Sequence, residues 1–344
     1  MGQIIPHKPK YLNSFLHICV NTLELDKKNS QILFELDKNS RISINKIAKK
    51  IKLSRDVVRY RIKQLEKQEI IQKYIAIIDF TKLGYQNIRL YLRLKNTSTE
   101  IEEKMINYLI NQKNIFTVYK TDGKYDLAIG FFVKDLQKYQ IYYEKFLKIF
   151  KPYILKKKFS ICLNYVHFNR NYLTEKKYYN LSPISIGSSK FYQYDNKDIQ
   201  LLNLIKEDAR ISLLDLSKKM KMTPTGIKYK LKNLEKNKVI MAYKVLINFD
   251  KFGYKYYKID LDLEDVSIIP SLKQYVIQHP NIIYQDIFIG GSDFEFDCEL
   301  LNQQELYKIF EDLKKLFPEK IRNYHYYKAL KIYKYSYFPE DISC

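Results

Sequence analysis

Arg55, Arg59 and Lys63 recur at four-residue spacing, with Asp56, Tyr60 and Arg61 between them. On a helix that spacing gathers the three cations into one stripe. Such a stripe can grip phosphate oxygens or donate paired hydrogen bonds to a guanine edge. The same window carries Val58, Ile62 and Leu65 at helical spacing, which supplies an aliphatic side to turn inward. Exposed charge on a helix is in general no more than a solvated face. Here Arg is scarce in the chain, yet three copies fall in one segment, and that clustering favours nucleic-acid chemistry.

The elements that must position this stripe are readable upstream. Asp26 is an acidic N-cap before a helix with Ile32, Leu33 and Leu36 on one face. Ser43 caps a second short helix that turns Ile44, Ile47, Ala48 and Ile51 inward, Lys52 and Leu53 form a turn, and Ser54 caps the third helix. Two short helices joined by a tight turn after a leading helix make a helix-turn-helix unit. Residues near the start of the third helix reach base edges best. Arg55 and Asp56 are therefore the candidates for base reading, with Arg59, Arg61 and Lys63 for backbone contact and Ser54 and Tyr60 beside them.

The sequence then says the same thing again. Asp26 to Tyr85 aligns without a gap on Asp195 to Tyr254: Arg41-Ile42-Ser43 falls on Arg210-Ile211-Ser212, Leu65-Glu66-Lys67 on Leu234-Glu235-Lys236, and Gly84-Tyr85 on Gly253-Tyr254. An internal repeat of this length governs the architecture. In the second copy Asp195 and Ser212 are the first caps, and Thr223-Pro224 opens the third helix, where Pro is tolerated. Ile227, Leu231 and Leu234 face in, leaving Lys228 and Lys232 outward with Thr225, Tyr229 and Lys230 beside them. Lys is a point charge where Arg is a planar fork, and Gly226 weakens the helix start, so this copy is expected to contact mostly phosphate.

After each copy the pattern changes to β-α-β-β-α-β, the ferredoxin-like order. The first such run extends from Gln86 to His167 and the second from Tyr256 to Tyr333. The expected fold class is α+β: two winged helix-turn-helix units, each followed by a ferredoxin-like module. The divisions expected are an arm at 1–24, the first helical unit at 25–80, its module at 81–167, a linker at 168–193, the second helical unit at 194–249 and its module at 250–338. One strand alternates Phe294, Phe296, Cys298 and Leu300 with Glu295, Asp297 and Glu299. An acidic face will not lie on DNA. Solvation is its simplest explanation, and lining a sensor cavity is the alternative.

A formal net charge of +22 favours a polyanionic partner, although a chain rich in Lys, Ile, Asn and Tyr and without Trp owes part of that charge to A/T-biased coding. Cys19, Cys162, Cys298 and Cys344 lie far apart, and the five His are equally scattered, so unpaired thiols and no metal site or cofactor are expected. No apolar run approaches the ~20 residues that span a bilayer, and Met1 to Lys10 is unlike a secretory signal. The expectation is a cytoplasmic protein with no membrane partner.

Leu25-Asp26, Arg41-Ile42-Ser43, Ile47-Ala48-Lys49-Lys50, the run from Leu53 to Glu66 and Gly84-Tyr85 resemble the N-terminal pattern of the Lrp/AsnC, or feast/famine, transcription regulators. Tyr194-Asp195 and the run from Leu201 to Ser212 resemble it again. In the modules the resemblance rests on element order and on Asp122-Gly123-Lys124-Tyr125-Asp126 and Gly290-Gly291-Ser292-Asp293. The resemblance implies double-stranded DNA as partner and a module that dimerises through its sheet. It also implies an amino-acid or other small effector bound at subunit interfaces. A usual member carries one helical unit and one module per chain. Two of each imply an internal pseudo-dimer, with further homo-oligomerisation through the modules left open. An effector would lie near Gly123, Asp126, Gly290, Gly291 and Asp293, although Gly and Asp in tight turns need no ligand. Sirohaem decarboxylases resemble the same family and occur as paired or fused halves, with a His-Asn-Tyr stretch and a Trp-containing strand. Here the corresponding region is Phe116-Thr117-Val118-Tyr119-Lys120, and the chain has no Trp. No catalytic residue is assigned. That enzyme, and an adaptor that has lost DNA binding, are the alternatives to a regulator.

Overall fold

The computed structural model describes residues 25–174, 183–187, 190–206 and 208–339; the N-terminal arm lies outside the described residues. The first helical unit is α1 (Lys27–Lys38), α2 (Ile44–Ile51) and α3 (Arg55–Lys67), followed by the wing strand β1 (Ile71–Ile78). Asp26, Ser43 and Ser54 each accept a backbone N–H at the start of their helix, supplying partners that the first turn lacks. The first module runs β2 (Gln86–Leu94), α4 (Thr99–Ile110), β3 (Ile115–Gly123), β4 (Leu127–Val133), α5 (Leu136–Phe150) and β5 (Ile154–His167). Between the two copies a short strand, β6 (Ile184–Ile186), pairs with β5. The second helical unit is α6 (Asn196–Ile205), α7 (Leu213–Met220) and α8 (Pro224–Lys236), with wing strand β7 (Ile240–Ile247). The second module runs β8 (Lys255–Leu263), α9 (Ile269–Gln278), β9 (Ile282–Ile289), β10 (Phe294–Leu300), α10 (Gln303–Leu316) and β11 (Ile321–Tyr335).

The repeat extends to backbone detail. Lys52 and Lys221, at the helix-turn-helix corner of each copy, both hold the left-handed conformation, with φ of 56° and 51°. Lys28 donates to the carbonyl of Ile51, and Lys197 to that of Met220, the equivalent position. Each corner is therefore pinned by a cation from the leading helix.

Two arrangements were not written in the local pattern. First, the wings pair with each other: β1 runs antiparallel to β7, and Ile75 stands opposite Lys244. The later part of β1 (Ile75 to Ile78) enters the apolar core built on α6, α7 and α8, while Val245 and Ile247 of β7 enter the core of α1, α2 and α3. Second, the two four-stranded modules complete one another. Within the first the order is β5-β2-β4-β3, and within the second β11-β8-β10-β9; β3 pairs with β11 and β5 with β9. Eight antiparallel strands thus close into a barrel. Alternate residues pack outward under the helices, as Ile88, Leu90 and Leu92 of β2 do against Met105 and Phe146, and the rest face the interior. No helix among the described residues is long and apolar enough to cross a membrane.

The exchange of wings makes an asymmetric prediction. Ile77 is fully buried in the second unit's core although it belongs to the first copy. Ile77→Ala should cost about 2–5 kcal/mol, and hydrogen exchange should show the reduced protection in α6, α7 and α8 rather than in α1, α2 and α3. An effect confined to the first three helices would contradict the exchange.

Candidate nucleic-acid interface and barrel interior

Packing of Val58, Ile62 and Leu65 into the first unit leaves Arg55, Asp56, Tyr60 and Lys63 exposed on α3, with Arg59 partly so and paired to Asp56 at 3.0 Å. On α8, burial of Ile227, Leu231 and Leu234 leaves Thr223, Thr225, Lys228, Tyr229 and Lys232 exposed. Tyr60 and Tyr229 are equivalent in the repeat and stand 64% and 73% open to solvent, so each helix offers an aromatic beside its cations. The hydroxyls of Ser54 and Thr223 accept from the backbone N–H of Val57 and Gly226, as helix caps.

Two candidates are placed otherwise than expected. Arg61 turns back to donate to Asp26 at 2.5 Å and Asn29 at 2.9 Å, at the start of α1. Lys230, its counterpart, reaches Asp195 and Asp198 at 2.8 and 2.9 Å. Both cations tie the third helix to the first helix of their own unit instead of facing outward. The hydrogen bond from Lys230 holds the Asp195 carboxyl below the usual carboxylate range, and Arg61 does the same for Asp26 against the opposing effect of burial.

The wings fix the two third helices relative to one another. Tyr74 on β1 donates to Glu66 of α3, and the Arg210 guanidinium from the other copy lies 5.0 Å from its ring centre. Tyr243 donates to Glu235 of α8 under Arg41, also at 5.0 Å. Each wing tyrosine is held between its own third helix and an arginine of the opposite unit.

The barrel interior corrects the reading of the acidic strand. Glu295, Asp297 and Glu299 of β10 are not solvated: they are 3%, 1% and 0% exposed. Lys258 on β8 lies 2.8 Å from Glu295 and 3.4 Å from Asp297, and Arg89 on β2 lies 3.4 Å from Asp286 on β9. Arg170, just after β5, donates twice to Glu299 at 2.9 Å and twice to Asp37 of α1, from its side chain at 2.8 Å and its backbone N–H at 2.9 Å, while Lys244 of β7 reaches Asp37 at 3.3 Å. Burial pushes the carboxyls of Asp260 and Asp286 up to about 7. Burial also drives the His167 imidazole down to about 3, helped by the nearby charges of Lys244 and Arg170. A cavity of about 460 Å³ runs through this region, lined among others by Asn87, Arg89, Tyr165, His167 and Asp286.

The five effector candidates occupy two equivalent turns, one per module, and are not brought together. Gly123 has φ +136°, and an added Cβ would meet the Tyr326 carbonyl oxygen on β11 at 2.6 Å; Gly290, at φ +76°, abuts β5. Asp126 accepts from Arg93 at 2.9 Å and the Leu94 N–H at 2.6 Å, and Asp293 accepts from the Leu263 N–H at 2.7 Å. At Gly291 an added Cβ would fall 2.4 Å from the Glu295 carboxylate. Both turns therefore sit where one module joins the other, and the hydrogen bonds of Asp126 and Asp293 each stay within their own module.

The signature of the winged helix-turn-helix DNA-binding family matches residues 25–72 and again 194–241. A helix-turn-helix-type transcriptional regulator of Pyrococcus abyssi is 31% identical over 125 residues, which cover 33% of this chain and 81% of that protein. One from Pyrococcus furiosus is 30% identical over 113 residues, 33% of this chain and 73% of its own. Over nearly the whole length the fold is similar to the siroheme decarboxylase NirDL. The crystal structure of that protein with an iron-uroporphyrin III analogue aligns at a TM-score of 0.60 and 11% identity, covering 91% of this chain and 95% of that one.

Two measurements follow from the buried charges. Arg170→Ala leaves Asp37 and Glu299 buried without their common partner and should cost about 3–5 kcal/mol by denaturant unfolding; a cost under about 1 kcal/mol would mean the relay is solvated. Asp286 ionises near 7 in the folded chain against about 4 when unfolded, so its contribution is complete below about pH 4 and is lost as pH climbs to about 7. Asp286→Asn should therefore gain stability relative to the parent between about pH 5 and about pH 8. Parallel stability profiles over that window would contradict the assignment.

Proposed function

The chain belongs to the Lrp/AsnC family of helix-turn-helix transcriptional regulators, as a tandem duplication, and we propose from that premise that it regulates transcription as an internal pseudo-dimer, with α3 and α8 addressing two halves of one site on double-stranded DNA. The observation that carries this reading is the exposure of the cationic sides of both third helices on units joined by the β1–β7 pair. The two readers are unlike. Arg55 and Arg59 can form forked contacts to bases or phosphates, whereas Lys228 and Lys232 offer point charges. An asymmetric operator suits such a pair, with half-site centres separated by one or two turns of the duplex, ~10 bp each.

A small effector fits the regulator reading, and the two junction turns at Gly123–Asp126 and Gly290–Asp293 are where an amino acid would have to act to change how the modules meet. A second reading, a sirohaem-decarboxylase-like enzyme, is favoured by the full-length fold similarity to NirDL. Against it stand Phe116 to Lys120, which carry no His, and a chain without Trp. Mixing the protein with an iron tetrapyrrole and recording the Soret region separates the two: an unchanged spectrum leaves the regulator, and a saturable shift favours the enzyme.

Replacing Arg55 and Arg59 together by Ala should weaken operator binding several-fold or more, since a forked hydrogen-bond pair to a base is worth roughly 1–3 kcal/mol. Lys228→Ala with Lys232→Ala should weaken specific and nonspecific DNA alike and flatten the salt dependence by about one phosphate per residue. Electrophoretic mobility shifts at two salt concentrations, with footprinting of the bound site, read both effects. Unchanged affinity in the Arg double variant would remove α3 from the interface.

A further inference from the structure

The barrel interior holds more acid than base. Asp37, Asp260, Asp286, Glu295, Asp297 and Glu299 are buried in or against it, facing Arg89, Arg170, Lys244 and Lys258. Most of these are paired, but several polar atoms have no partner among the described residues. They are both amide atoms of Asn87, the Arg89 Nε, the hydroxyls of Thr117 and Tyr165, and one oxygen each of Asp260 and Asp286. Asn87, Arg89, Thr117, Tyr165 and Asp286 all line the 460 Å³ cavity, and each of them is at least nine-tenths buried. Buried polar groups in folded proteins nearly always have partners, and a cavity of this size lies within the range of small-molecule sites, about 300–1,000 Å³.

The free oxygen of Asp286 says which kind of molecule. Arg89 already faces the Asp286 carboxylate with one guanidinium nitrogen, 3.4 Å from Oδ2, and lies over the rings of Tyr165 and Phe288 at 5.4 and 5.2 Å. The other Asp286 oxygen, Oδ1, is the unsatisfied acceptor. A second anion there would lie against the buried Asp286 carboxyl at a steep desolvation cost. A cation would pair with its free oxygen. Tyr119, Tyr165 and Tyr284 line the cavity, and aromatic rings suit alkyl and ammonium groups. The cavity reaches the surface beside exposed Asp250 and Lys331, below the paired wings.

We propose that the barrel encloses a binding site for a small organic amine, its ammonium group taken by the free oxygen of Asp286 and its carbon chain laid against the tyrosine wall. The site is separate from the junction turns and from the third helices, and it stands whether or not the chain reads DNA. The high positive charge of the chain makes the test clean, because a net charge of +22 repels amines from the outer surface.

The probes are 1,4-diaminobutane, its neutral analogue 1,4-butanediol and the dianion succinate, each titrated into the full chain and followed by thermal unfolding and calorimetry. The diamine should raise the melting temperature saturably by several degrees, as a ligand of the folded state must, while the diol and the dianion leave it unchanged. Asp286→Asn should lower diamine affinity by tenfold or more. Tyr165→Phe and Thr117→Val each remove one unpartnered hydroxyl with little change of shape; each should fold and lose affinity several-fold, which tests the cavity wall independently of Asp286→Asn. No saturable response to the diamine at millimolar concentration overturns the proposal. So does an equal response to the diol, or parental affinity in the variants.

Discussion

Everything in this molecule depends on two strand pairings, β3 with β11 and β5 with β9, by which each module finishes the sheet of the other. A lone ferredoxin-like sheet would expose two edges, each a row of unpaired N–H and C=O groups open to association. Duplication within one chain supplies the missing partner at fixed stoichiometry, and closure then creates an inside. Without an inside, Glu295, Asp297 and Glu299 would be an ordinary wet face. With it, they become buried groups that must be paired, and Lys258, Arg89 and Arg170 are where the pairing comes from. Part of that interior is filled by stacked tyrosines, Tyr91 against Tyr327 at 5.7 Å and Tyr125 against Tyr327 at 5.9 Å, and part is left as the cavity.

The symmetry imposed by the pairing is broken where the helical units meet the barrel. Asp37 of α1 has Lys206 as its counterpart in the repeat, and Lys244 of β7 has Ile75. Only the first helical unit can therefore enter the relay from Asp37 through Arg170 to Glu299. Removing any member would strand a buried charge, so the relay works as a fixed strut between α1 and strand β10. It also passes along the cavity wall, since Arg170 and Glu299 both line it. The unit whose third helix carries the arginines is fastened to the barrel by these ionic bonds.

What could be read beforehand was local. Caps at Asp26, Ser43 and Ser54, the aliphatic spacing of α3 and α8, and the β-α-β-β-α-β order are short-range periodicities, and the structure follows them. The pairing of β1 with β7 and the closure of the barrel join residues far apart in the chain, and period-two alternation does not say which strand a neighbour belongs to. The same limit explains the acidic face of β10: alternation marks two faces and leaves open whether the polar one meets water or an interior. Arg61 and Lys230 are a different case. Their partners Asp26 and Asp195 stand 35 residues earlier in each copy, and the repeat preserves that pair at the same offset. Comparing the two copies for compensating charges would have found the contact from sequence.

Fusion also changes what the two halves are free to become. In a symmetric dimer of separate chains any change in one third helix appears in both, and only a palindromic site can satisfy two identical readers. Here the twofold relation is kept by the barrel and the paired wings, whose contacts recur in both copies: Tyr74 with Glu66 and Arg210, Tyr243 with Glu235 and Arg41. The exposed sides of α3 and α8 make none of those contacts, so they could diverge without disturbing the frame. Arg55 against Pro224 and Arg59 against Lys228 are that divergence, while Lys63 and Lys232 are alike. The half of each helix that the copies share holds the architecture, and the other half is where they differ in what they can recognise.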